Sequence, residues 1–507
     1  MDTWVLNMGV VNANMLANSS WNGRYASFGY FGRVEYSLMD KYLLTVNVRR
    51  DGVSRFSSKY RYGTFPSASL GWRVSEEGFM LNTRSWLDDL KVRVGYGKVG
   101  NAEGPSANNW ASEFAMSTNQ ANYPVNGSNQ GLTAFRQSRV GNENTKWEAV
   151  ESFNIGLDAS FLRGKFGVSF EWYNKNTTDM LIQAAWSNLA GEATRPYINF
   201  GNMNNKGFDL SLNYSDSKGD FGWDVTLTAF AYKNKVTKMT EGATPAPRWA
   251  GADRMVNSGQ ICRTIDGDPI AQFYGYKVNG FYENAEEVLS LRPLNSDIKS
   301  TAEAQAYVGR YKFAKTSDTN PGQLTQNDRT HIGNPHPKLI GSLNIGLSYK
   351  NFDLTTFWYS SLGNELFNIT KLYTDFQLFN GNRSHRMLNE SWEPGKTNAI
   401  LPMLNSADNY SYQVCDYFVE NASFLRMKNL VLGYTLPKSW LQLATIQNLR
   451  FYIQMENLIT ITKYSGLDPE FTNRDVGGGN GADLSRGIDA GAWPNIKKFI
   501  FGVNFVF

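Results

Sequence analysis

Large apolar side chains recur at every second position through much of this 507-residue chain, the period of extended strands with one apolar and one polar face. Near 24–38, Ala26, Phe28, Tyr30, Val34 and Tyr36 share one side, and Ser27, Arg33, Glu35 and Ser37 the other. Tyr42, Leu44, Val46 and Val48 then alternate with Thr45, Asn47 and Arg49. The same pattern returns at Phe153 to Phe161, Phe166 to Trp172, Phe208 to Tyr214, Trp223 to Leu227, Leu343 to Tyr349 and Phe352 to Trp358. With 65–75, 87–98, 422–436, 449–461 and the closing KKFIFGVNFVF, these segments predict about thirteen strands.

The connections alternate in length. Tight turns fall at Asp40 and Lys41, at Arg163, Gly164 and Lys165, at SDSKGD (215–220), and at Lys350 and Asn351. Between them lie long polar segments near 99–145, 236–337, 362–420 and 462–495. Tyr36 and Tyr42, Phe161 and Phe166, Tyr214 and Phe221, and Tyr349 and Phe352 bracket the four tight turns on the apolar faces of their strands. A secreted propeller or tandem sandwich has no reason to order its turns and aromatics in this way. A transmembrane antiparallel β-barrel does, with short periplasmic turns, long extracellular loops and an aromatic girdle at the membrane boundary. The predicted fold class is therefore all-β, a membrane barrel.

Composition fits that fold. Aromatics make up 14% of the chain (31 Phe, 26 Tyr, 14 Trp), yet mean hydropathy is −0.42, because the apolar groups are diluted among polar ones. No segment has the roughly 18 consecutive apolar residues of a membrane helix, a test that barrel strands of about ten residues do not meet. Fifty basic and 46 acidic residues give a net charge of +4 without a basic stripe, so nucleic acid is not an expected partner. Cys262 and Cys415 lack CxxC spacing, and whether they pair is left open. MDTWVLNMGVVNANML lacks the basic start and unbroken apolar core of a signal peptide.

If the long connections are extracellular, the closing strand descends to the periplasm and the first of thirteen strands descends too. The expectation is that an odd number of N-terminal strands lies outside this sequence, that 1–22 is the remnant of an extracellular loop, and that 23–507 is the C-terminal part of the barrel. An unclosed sheet in lipid would otherwise leave two unsatisfied edges.

Seven ordered blocks carry a resemblance. YLLTVNVRRDGVSRF (42–56), TFPSASLGWRVSEEGFM (64–80), WLDDLKVRVGYGKVGN (86–101), AQFYGYKVNGFY (271–282), DRTHIGNPHPKLIGSLNIGLSYKNFDL (328–354), SFLRMKNLVLGYTLP (423–437) and YIQMENLITITKYSGLDPE (452–470) resemble the C-terminal barrel of SusC/RagA-type TonB-dependent transporters. The resemblance implies a 22-stranded outer-membrane barrel in Bacteroidetes-type bacteria, a plug domain and TonB box in a preceding region, a SusD-like lipoprotein partner, and uptake of glycans or oligopeptides. It implies no enzymatic activity. Gly502, Phe505 and Phe507 resemble the C-terminal signal read by the outer-membrane assembly machinery, with Ile500 where a polar residue is usual.

KTSDTNPGQLTQNDRT (315–330) stands where many members carry an acidic calcium-type loop. Asp318, Asn320 and Asp328 are the candidate ligands, but Pro321 and Gln323 interrupt a set that calcium needs to reach six to eight oxygens. An ordinary surface loop is the expectation there, with calcium as the alternative.

Catalytic chemistry finds little footing. His331, His336 and His385 show no HExxH spacing, no nucleophile elbow is present, and GGGNGAD (477–483) lacks a strand-to-helix context. Binding is better served by the loop aromatics Trp110, Tyr123, Trp186, Trp249, Trp392 and Tyr410, whose rings suit sugar faces or peptide side chains. The plainer alternative for each ring is that it anchors its own loop or meets the lipoprotein. At the level of the protein, the alternative to import is a structural or adhesive barrel that binds partners without transport.

Overall fold

In the computed structural model, residues 25–106, 108–123, 132–183, 193–239, 248–250, 260–376, 381–441, 446–470 and 482–507 are described. The dominant element is a 13-stranded antiparallel sheet in which each strand pairs with its sequence neighbour in the sheet. Its strands are β1 (Ser27–Leu38), β2 (Tyr42–Val53), β3 (Tyr62–Arg73), β4 (Leu87–Asn101), β5 (Glu148–Phe161), β6 (Phe166–Thr178), β7 (Gly201–Lys218), β8 (Phe221–Met239), β9 (Leu339–Tyr349), β10 (Phe352–Leu362), β11 (Phe424–Thr435), β12 (Asn448–Thr462) and β13 (Lys498–Val506). The thirteen strands expected from alternation are all present.

Tight turns form where the sequence places them. Met39 and Asp40 adopt positive φ between β1 and β2, Leu162, Arg163 and Gly164 between β5 and β6, and Lys350 between β9 and β10. These left-handed conformations match the right-handed twist of the flanking strands. The β7–β8 turn at Gly219 is equally tight, and the other two connections at the same end are longer: the 3-10 turns Val74–Glu76 and Gly78–Thr83 lie between β3 and β4, and a short helix, Lys438–Leu441, follows β11.

One face of the sheet is apolar and exposed, as lipid contact requires. On β13, Phe499, Phe501, Val503 and Phe505 are 48–75% exposed, with Phe507 at 71% beyond the strand. Tyr36, Tyr42, Tyr349 and Phe352 are likewise exposed beside their turns. Among the described residues β1 and β13 do not pair with each other, so the sheet stays open, with a hydrogen-bonding edge on each.

The buried core lies elsewhere. It is built from the long connections, which sequence periodicity leaves as unstructured polar loops. Tyr282, Tyr311, Phe273, Phe313, Phe367 and Phe418 are fully buried in one cluster with Ile261, Leu324, Ile369, Leu372 and Leu401. Short strands tie the loops together: Arg248–Ala250, Cys262–Thr264, Gln272–Gly275 and Thr330–Gly333 make a four-stranded sheet, and Val278–Phe281 pairs with Tyr311–Phe313. Glu365–Asn368 lies between Val419–Asn421 and Ile488–Asp489, so the connections before β11 and before β13 share one sheet. These connections fold into a cap with its own interior.

Candidate ligand-binding cap and lumen wall

On the inner face of the sheet, residues alternating with the lipid-facing row form a polar wall. Lys91 and Arg93 of β4 face Asp158 of β5, at 3.3 Å and 2.9 Å, and Arg93 also pairs with Glu171 of β6. Ser169 donates to the other Asp158 oxygen at 2.7 Å. Gly156 lies under this cluster because a Cβ there would sit 2.5 Å from the Arg93 guanidinium carbon. Farther round, Arg450 grips Asp353 through both carboxylate oxygens, at 2.9 Å and 2.5 Å. A wall of charged and hydrogen-bonding groups suits an aqueous conduit rather than a packed core.

Above that wall, the connection between β8 and β9 presents a basic and aromatic stack. The Arg263 guanidinium lies 3.4 Å from the Tyr274 ring centroid, and His331 meets the same ring edge-on at 5.4 Å. Asp268 joins the group, 3.4 Å from Arg263 and 3.1 Å from His331. Arg329 lies 5.7 Å from the Tyr274 ring and donates to the Tyr274 carbonyl at 2.7 Å. Burial is the largest influence on His331 and holds its pKa below the ordinary histidine value, against the pull of Asp268. Guanidinium and ring surfaces together favour planar or anionic groups on a ligand. No spacing rule reveals this cluster, because strand pairing in the loop sheet assembles it; only HIGNPHP is conspicuous in the sequence.

His336 holds the cap to the barrel rim. Its Nε2 is 2.9 Å from the Ile270 carbonyl, which can only accept, so Nε2 carries the proton and Nδ1 accepts from the Tyr232 hydroxyl at 3.2 Å. Burial pushes the His336 pKa down, consistent with that neutral ring.

The structure disperses the sequence-predicted aromatics. Trp392 and Tyr410 are 3% and 4% exposed, and Tyr410 packs on Phe313 and Tyr307 at 5.4 Å and 5.7 Å. Trp392 donates to Glu283 at 3.4 Å. Their selection as ligand-facing rings is corrected: apolar area drives both into the cap interior, where they anchor the loops. Trp110 is half-buried. Tyr123 and Trp249 end or centre the loop strands Glu113–Tyr123 and Arg248–Ala250, and their side chains fall outside the described set. Trp186 lies outside the described residues, as does the expected loop remnant 1–22.

The calcium candidates do not form a cation cage. Asp328 is wholly buried and its carboxylate accepts from the backbone N–H groups of Thr316, Ser317 and Thr325, from the Ser317 and Thr325 hydroxyls, and from Lys315 Nζ at 2.8 Å. Burial alone would raise its pKa, but Lys315 and the N–H donors outweigh it and hold the carboxyl well below the ordinary range. Asn320 turns to Gln323 instead. The Lys315 ammonium thus supplies the positive charge, and Asp328 has no lone pair direction left for a metal. Among the described residues no group of three or more His, Cys, Asp or Glu is placed to hold an ion. Cys262 and Cys415 are free thiols, both buried, which answers the question of pairing.

At the chain end, the Tyr452 ring covers Gly502, where a Cβ would lie 2.2 Å from the ring. Phe505 and Phe507 stack edge-to-face at 5.2 Å on the lipid side.

An apolar outer face, a polar inner wall and long connections gathered at one end define an outer-membrane β-barrel. Comparison with known proteins agrees. The model of the TonB dependent receptor-like β-barrel family matches residues 6–458. The chain is 31% identical over 480 residues to TonB-dependent receptor P3 of Formosa agariphila, covering 94% of this chain and 45% of that protein. It is 30% identical over 514 residues to SusC of Bacteroides thetaiotaomicron, covering 98% and 45%. Among solved structures, the RagAB peptide transporter superposes with a TM-score of 0.76 at 23% identity, over 99% of this chain and 50% of that one, a likeness of fold. The chain belongs to the TonB-dependent receptor β-barrel family, and within it to the SusC/RagA type. It spans about half the length of the curated relatives it matches.

Proposed function

We propose that this chain is the ligand-binding and conducting barrel portion of an energised outer-membrane importer of large nutrients, glycans or oligopeptides. The observation that carries the proposal is the pairing of a polar, ion-paired inner wall with a folded cap at the extracellular mouth, in a chain of SusC/RagA type. In this scheme the open edges of β1 and β13 pair with further strands, because a membrane sheet cannot leave backbone groups unpaired in lipid. Energy arrives through a plug and the TonB system, and a SusD-like lipoprotein closes over the cap. The half-buried Trp110, with Tyr123, Trp186 and Trp249, remains proposed as ligand contact. RagAB, the structural neighbour, is a peptide transporter, which favours an oligopeptide among the candidate cargoes.

Uptake of labelled oligopeptides and oligosaccharides by cells carrying the complete gene, with and without the energising protein, tests the proposal. Accumulation that depends on that protein supports it. Binding without accumulation in either strain would instead establish an adhesive or structural barrel.

A further inference from the structure

The outer face of the sheet carries a basic cleft at the extracellular edge of the lipid-facing band. On β8 the outward row runs Phe221, Trp223, Val225, Leu227, Ala229 and Ala231, eleven positions from end to end, which is the length of a barrel strand's membrane crossing. Directly above it stands Lys233. Its partner across the β7–β8 ladder is Lys206, one outward position above Phe208, and Phe208 pairs with Trp172 of β6. Like charges directly opposite on neighbouring strands repel.

These two lysines line a cleft of about 610 Å³ together with Lys338, Trp172 and Phe208, and no Asp or Glu lines it. All three ammonium groups belong to exposed residues, and among the described residues none has a carboxylate within ion-pair distance. The contrast along the same rim is Lys98, which faces outward from β4 and is neutralised by Glu151 at 2.9 Å. The cleft lies between β6 and β9, so its neighbouring strands are all present in this chain.

We propose that this cleft binds a phosphorylated glycolipid of the outer leaflet, its phosphate between Lys206 and Lys233 with Lys338 as third donor, and its acyl chains on Phe208, Trp172 and the apolar row below. Charge complementarity selects the phosphate, and the aromatic floor selects a ligand with hydrocarbon attached. The inference rests on the outer-membrane placement and not on import, so the uptake experiment and this one fail independently.

The test uses the complete protein purified from outer membranes and reconstituted in phosphatidylcholine vesicles containing either lipid A or its dephosphorylated form. Lipid bound to the protein is measured by native mass spectrometry, for wild type, Lys206→Gln/Lys233→Gln and the rim control Lys98→Gln. Retention of lipid A is expected to exceed that of the dephosphorylated lipid on the order of tenfold in wild type and Lys98→Gln, and to fall by a similar factor in the double variant. Correct folding of each variant is read from heat-modifiable electrophoretic mobility. Equal retention of both lipids, or undiminished retention by the folded double variant, would overturn the proposal. Release of lipid A by millimolar inorganic phosphate would overturn the lipid assignment in favour of a free-anion site.

Discussion

The Arg426 guanidinium meets the Asp468 carboxylate at 2.6 Å with the two side chains 4% and 3% exposed, fastening the connection before β13 to the inner side of β11. Burial would raise the Asp468 pKa, yet Arg426 and the Asn495 backbone N–H hold it below the ordinary value. Arg426 also pairs with Glu470 at 2.7 Å. Replacing Arg426 by Met strands a buried carboxylate, a change that typically costs about 3–5 kcal/mol. The expected outcome is rapid proteolytic cleavage within 463–497 while the barrel keeps its heat-modifiable mobility. Resistance equal to wild type would show that the pair does not hold this loop.

Lys315 and Asp328 make a second such pair, and it predicts an acid limit on cap stability. With its native pKa depressed below the ordinary carboxylate value of 3.8, Asp328 stabilises fully above that value and loses the contribution as pH falls through the native pKa. Lys315→Met should bring the onset of cap unfolding, followed by tryptophan fluorescence, to higher pH. Added calcium should not restore the variant, since the five donors from Thr316, Ser317 and Thr325 still occupy the carboxylate.

His336 sets a milder threshold. Because its folded pKa lies below 6.5, the ordinary histidine value, the stability it confers is complete above that pH and declines as pH falls below it. Protonation places a donor against the Tyr232 hydroxyl and a charge in the rim. The protection factor of the Ile270 amide, with the intrinsic pH dependence of exchange divided out, should therefore be lower at pH 5 than at pH 8 in wild type, and lose most of that difference in His336→Gln.

Cys262 and Cys415 are 0% exposed, and burial raises both thiol pKa values. Neither should react with maleimide in the folded protein, and both should react in denaturant without added reductant. Labelling of one or both in the native state would contradict a closed cap core.

Gly502 separates packing from recognition at the chain end. Gly502→Ala puts a methyl against the Tyr452 ring, so assembly into the outer membrane should fall. If crowding is the cause, Tyr452→Ser in the same chain restores assembly. If assembly stays low, Gly502 is read by the assembly machinery itself.

What the sequence determined by itself is the sheet. Period-two alternation exposed all thirteen strands, and the turn at Asp40 and Lys41 followed from the same pattern, since both are local properties of a chain that crosses an apolar slab. The lipid row of β13 could be named residue by residue for that reason. Only the tertiary structure decided what the long connections do. Their apolar residues carry no period, because they meet partners far away in the chain, as Tyr311 does at the carbonyl of Ile400 at 89 positions and at Ser411 at 100. Trp392 and Tyr410 looked like free loop rings and are core; Arg263, Tyr274 and Arg329 looked unremarkable and are stacked. A strand's environment is written in its own alternation, whereas a loop's is fixed by which distant segments close over it.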